Sequence, residues 1–145
     1  MNLESQGRRI LICDVDRTVL ELLQIRFDLA GCHTFVARTG PAALETIKTA
    51  RPAAMVLELN LPEMDGFDVL RALNPRGDGI HFPVLVMGKK LSAEDIQRAV
   101  KLGARDCLIK PFSGADVLER VARQFRRHAP ATPPPSAQVA RTVMV

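Results

Sequence analysis

The residues able to do chemistry stand at the ends of short apolar runs. Ile10-Leu11-Ile12-Cys13 runs straight into Asp14-Val15-Asp16, Ala54-Met55-Val56-Leu57 into Glu58, and Cys107-Leu108-Ile109 into Lys110. From Glu58 to Gly66 the chain is Glu-Leu-Asn-Leu-Pro-Glu-Met-Asp-Gly, which reads as the end of a buried strand, a tight loop and the start of a helix. A second concentration is cationic. Arg120, Arg123 and Arg127 recur at i, i+3 and i+7, one face of a helix, with Arg126 beside them. Arg98, Lys101 and Arg105 lie on the preceding helix and turn. Guanidinium groups grip phosphates bidentately and stack on guanine bases, so this face suits an anionic partner. The plainer reading is that these arginines flank the core and keep the helix soluble.

Short apolar runs alternating with amphipathic stretches are the pattern of a parallel sheet covered by helices on both faces. The sequence predicts strands over 9–13, 34–37, 54–58, 84–87 and 107–109. It predicts helices over 17–30, 41–50, 67–73, 93–102 and 114–127. In the first helix Val19, Leu20, Leu22, Leu23, Phe27 and Leu29 are expected to face the core. In the last, Val117, Leu118, Val121 and Phe125 form the stripe. Ser92 and Ser113 are expected N-caps. Five βα units imply an α/β, flavodoxin-like doubly wound domain with strand order 2-1-3-4-5 and its site at the C-terminal strand ends. The expected organisation is an arm over 1–7, a domain over 8–128 and a Pro-rich tail over 129–145.

The chain has 145 residues, 47% of them apolar, enough for one domain with a proper core. No apolar run is long enough to span a membrane, and no signal peptide opens the chain, so a cytoplasmic location is expected. Three isolated cysteines without a CxxC read as buried apolar thiols in a reducing compartment. Residues 1–83 carry nine Lys/Arg against eleven Asp/Glu, while residues 84–128 carry ten against five. The second half should therefore present a basic surface to an acidic partner. Specific DNA binding is not expected. No helix-turn-helix follows the domain, and without Trp or Tyr there is no stacking platform.

These motifs together resemble the receiver domains of bacterial response regulators, over roughly residues 8–127. The quoted stretches are Ile10 to Asp16, Arg51-Pro52, Leu61-Pro62-Glu63-Met64-Asp65-Gly66, and Leu102 to Phe112 with its Lys110-Pro111 ending, a bond typically cis in that family. The resemblance implies a signalling module rather than an enzyme. It also marks departures. Receivers place two adjacent acids after the first strand to hold Mg²⁺; here they are Asp14 and Val15, with Asp16 one residue further on. The phosphoaccepting aspartate corresponds to Glu58. The Thr or Ser ending the fourth strand corresponds to Gly88, and the switch Tyr or Phe of the fifth to Cys107. Only Asp14 and Lys110 of the usual pocket remain, and Glu58 is expected to pair with Lys110.

The resemblance thus implies a pseudo-receiver independent of phosphorylation, with no cofactor and weak or absent Mg²⁺ binding. Its role would be to bind a protein partner in a bacterial signalling pathway through the basic face of the fourth helix, fifth strand and fifth helix. An alternative is a receiver-like effector that binds cyclic di-GMP through its arginines. A further alternative rests on Asp14-Val15-Asp16-Arg17-Thr18, which also resembles the first motif of haloacid-dehalogenase-type phosphatases. There Asp14 would be the nucleophile and Asp16 the general acid/base. That family's distal acidic pair has no convincing counterpart here.

Overall fold

The computed structural model describes residues 7–128. Strands β1 (Arg9–Cys13), β2 (His33–Ala37), β3 (Ala54–Glu58), β4 (Val84–Gly88) and β5 (Asp106–Ile109) form one parallel sheet in the order β2-β1-β3-β4-β5. Helices α1 (Arg17–Leu29), α2 (Gly40–Ala50), α3 (Gly66–Leu73) and α4 (Ala93–Lys101) make the crossovers, and α5 (Gly114–His128) follows the last strand. The expected order and elements are therefore those observed, with ends shifted by a residue. Most of the expected arm, residues 1–6, and the expected tail, 129–145, lie outside the described residues. Among the described residues no helix is long and apolar enough to cross a membrane.

Side chains alternate across the sheet, so each central strand feeds two cores. Ile10 and Ile12 of β1 pack with Leu20, Leu23 and Phe27 of α1 and Val117 and Val121 of α5. Leu11 and Cys13 face the other way, toward Ala43 of α2, Val69 and Leu70 of α3, and Ala99 of α4. The stripe expected for α5 is buried as read. The stripe expected for α1 needs correction. Leu22 is 38% and Leu29 80% exposed. The buried row runs 20, 23, 27 and 30, and at 100° per residue Leu22 and Leu29 fall outside its arc. A run so rich in leucine suggests a wider apolar face than the sheet covers.

Each helix that follows a strand into the site starts on a side-chain cap. Asp16 accepts from the Thr18 N–H and Thr39 from the Ala42 N–H. Asp65 with Asp68, Ser92 with Asp95 and Ser113 with Asp116 close reciprocal capping boxes. At the opposite end of the sheet α2 stops on Arg51, which sits in the left-handed region at φ 48°. Arg9 Nε donates to the Ala50 carbonyl at 2.6 Å and to the Arg51 carbonyl at 3.3 Å, which ties this turn to β1. A left-handed backbone costs a side-chain-bearing residue about 1–2 kcal/mol. Arg51→Gly keeps the carbonyl contacts and removes that cost, offset in part by the looser unfolded glycine. The variant is expected to be more stable by about 0.5–1 kcal/mol in urea denaturation; an unchanged or lowered midpoint would contradict this.

Candidate functional site

The C-terminal strand ends open on a cleft of about 590 Å³, lined among others by Asp14, Glu58, Gly88, Leu91 and Lys110. Asp14 follows β1, Glu58 ends β3 and Lys110 follows β5, so three strands deliver one charged group each. Lys110 Nζ lies 2.7 Å from Asp14 Oδ2 and 2.6 Å from Glu58 Oε1. The remaining carboxylate oxygens accept backbone hydrogen bonds. Asp14 Oδ1 takes the Asp16 N–H at 3.0 Å, and Glu58 Oε2 the Asn60 N–H at 2.8 Å. Asp14 is 1% and Glu58 5% exposed, so both acids are out of water and both are fully engaged.

The electrostatics follow from this count. Burial pushes the Lys110 ammonium down, but the hydrogen bonds and charges of Asp14 and Glu58 outweigh burial and hold it above its ordinary value. Beneath them the Cys13 thiol is pushed up to about 12, first by burial and then by the same two carboxylates. It is therefore a neutral, inert thiol, as expected of a small core residue.

The loop after Glu58 closes by main-chain packing. The Gly66 N–H donates to the Leu59 carbonyl at 2.8 Å. A Cβ on Gly66 would stand 2.7 Å from Leu59 Cα and 2.9 Å from the Glu58 carbonyl oxygen. Only glycine fits, and its presence lets α3 start directly beneath the acid. After Lys110 the chain turns through a cis Lys110–Pro111 bond, and the Lys110 N–H is held by the Gly88 carbonyl at 2.8 Å.

The other expected residues are more scattered. Val15 is exposed at the rim, its carbonyl taken by Arg38 at 2.8 Å. Asp16 is exposed and spends Oδ1 on the Thr18 N–H at 2.9 Å as the cap of α1, which leaves it outside the buried triad. Cys107 is half-buried, and burial raises its thiol. The basic face is partly committed within the chain. Arg120 holds Asp106 at 3.0 and 3.1 Å and the Cys107 carbonyl at 3.2 Å. Arg126 pairs with Glu119 at 3.5 Å, and Arg98 lies over the Phe67 ring at 4.0 Å. Lys101, Arg105 and Arg123 are exposed and make no ion pair among the described residues. The Arg127 side chain lies outside the described residues. Sequence reading did not find Leu91 or the Arg98–Phe67 contact. Leu91 sits between a lysine pair and a helix cap with no periodic pattern to mark it, and Phe67 is 31 positions from its cation.

Three outcomes follow. Lys110→Met leaves two buried carboxylates without their cation and should cost about 3 kcal/mol or more in urea denaturation. A raised lysine stabilises the fold fully below its unfolded value of about 10.4 and loses that contribution as pH rises through the higher folded value. The wild-type chain should thus lose stability relative to Lys110→Met on titration above that range; parallel curves would refute the assignment. Gly66→Ala should cost about 1–3 kcal/mol through backbone overlap, and a neutral effect would show that the turn can open.

The comparisons with known proteins agree with this geometry. The family described as response regulator receiver domain matches residues 10–122. The response regulator MprA of Mycobacterium tuberculosis is 37% identical over 122 residues, covering 84% of this chain and 52% of MprA. This chain thus spans about half the length of the curated relatives it matches. Among solved structures, the receiver domain of the Francisella response regulator 1452 is 28% identical with a TM-score of 0.77, over 85% of this chain and all of that one. The signal receiver domain of a LuxO repressor protein from Vibrio parahaemolyticus is 26% identical, also at 0.77, over 83% and 92%. The strand order, the triad at the strand ends and the family match converge, and the chain belongs to the response regulator receiver domains.

Proposed function

We propose that this domain is a receiver whose signalling does not depend on phosphorylation, and that it acts by binding a protein partner. The observation that carries the reading is the closed triad. Glu58 stands where a receiver's phosphoaccepting aspartate would, and its carboxylate is already shared between Lys110 Nζ and the Asn60 N–H. Its extra methylene also moves the oxygens along the attack direction, and about 1 Å of misplacement can cost ~10²-fold in rate.

Mg²⁺ does not fit the residues present. It requires near-octahedral oxygen ligands at short range. Val15 offers no side-chain oxygen, Asp14 and Glu58 are tied to an ammonium, and Asp16 caps α1.

The binding surface in this reading is the face of α4, β5 and α5. Lys101, Arg105 and Arg123, which make no ion pair among the described residues, give it positive charge, and Val100 and Ile109, about half exposed, give it apolar contact area. Aliphatic anchors inside a charged rim suit a partner segment that is acidic and apolar. The cyclic di-GMP alternative is supported less. Arg98, Arg120 and Arg126 already have partners, and stacking on guanine would require them to leave.

Acetyl phosphate with Mg²⁺ is expected to add no phosphoryl group to the wild-type chain by intact mass. A mass gain of one phosphoryl that disappears in Glu58→Gln would overturn the reading. Cyclic di-GMP is expected to give no saturable heat at physiological salt.

A further inference from the structure

Gly88 ends β4 without a positive φ, so backbone conformation does not require glycine there. A glycine inside a strand weakens it and marks a place where another group comes close. The group is Leu91. A Cβ built on Gly88 would lie 2.7 Å from Leu91 Cδ2, 3.1 Å from Cγ and 3.7 Å from Cδ1. Both residues line the strand-end cleft, and Leu91 is half-buried against the core formed with α2, α3 and α4. Its neighbours Lys89 and Lys90 are exposed. The loop therefore sends two cations outward and one leucine inward.

Leu91 is also held from behind. The next residue, Ser92, caps α4, accepting the Asp95 N–H at 3.0 Å while its own N–H donates to Asp95 Oδ2 at 3.1 Å. The backbone of Leu91 cannot back away without straining that reciprocal pair. Relief of a clash at residue 88 falls to the far end of the leucyl side chain, which is half-buried against the core.

We propose that Leu91 is a plug matched to Gly88: it fills the room a side chain on residue 88 would take and closes the end of β4 against a tetrahedral oxyanion. The lysines at the mouth would draw such an anion, and the leucyl group denies it the place beside β4. The plug deepens the reading of an inert cleft and rests on it, but it acts through a different residue from Glu58. Returning an aspartate at residue 58 is then not enough to make the cleft accept a phosphoryl group.

The test starts from Val15→Asp/Glu58→Asp, which restores the two acids. To it are added Gly88→Thr, Leu91→Ala, or both. Each chain is melted, and each is treated with acetyl phosphate and Mg²⁺ while intact mass is followed. The threonine alone is expected to lower Tm and to label slowly. Adding Leu91→Ala should recover most of the loss attributable to the threonine and raise the labelling rate roughly tenfold or more. Two results each overturn the plug: an equal Tm cost of Gly88→Thr with and without Leu91, or labelling that Leu91→Ala leaves unchanged, including none in either chain. Labelling of the wild-type chain, lost in Glu58→Gln, would instead overturn the inert-cleft reading, and the melting pair would still decide the plug.

Discussion

Lys110 Nζ reaches two carboxylates that arrive on different strands, and most of the site is arranged to make that meeting possible. Taking three charges out of water is expensive, and a buried ion pair often does no better than a well-packed apolar group of the same volume. The triad is tolerated because every carboxylate oxygen has a donor: two share the ammonium, and two take backbone N–H groups. The triad also sets a condition on register. β1, β3 and β5 end at heights that must agree to within the reach of one ammonium, and a slip in any of them would strand a charge.

The surrounding crossovers solve a second electrostatic problem at the same edge. Five helices start on the side where the acids gather, each with unsatisfied N–H groups. Asp16, Thr39, Asp65, Ser92 and Ser113 each accept one of them. Acids that might have entered the cleft as ligands are thereby spent as caps. Asp16 and Asp65 line its mouth yet work for the helices behind them. The cleft is acidic by composition and nearly saturated by bonding.

Much of this was legible in the order of residues. Alternation of apolar runs with amphipathic stretches gave the parallel sheet, because a strand buried on both faces has no polar period to confuse with anything else. The caps were legible because Ser92 and Ser113 precede acids at the spacing that closes a box. The meeting of Glu58 with Lys110 followed from family resemblance, not from spacing, since they stand 52 positions apart. What was hidden depends on contacts between elements. Nothing in the spacing of Arg120 shows that Asp106 lies beside it. Nothing in the spacing of Arg98 shows that Phe67 lies under it. Leu22 and Leu29 looked buried because hydrophobicity does not reveal how wide a strip the sheet can cover.

The turn between Glu58 and Gly66 closes through main-chain atoms: a carbonyl of Leu59, an amide of Gly66 and the bare Cα that lets them touch. None of these depends on whether the acid before the turn is one methylene longer or shorter. The shape of the turn and the side chain that precedes it are therefore set by different atoms. The bend can form whichever acid precedes it, and what the cleft can do is decided by side chains on three strand ends and the loop after β4 rather than by the turn.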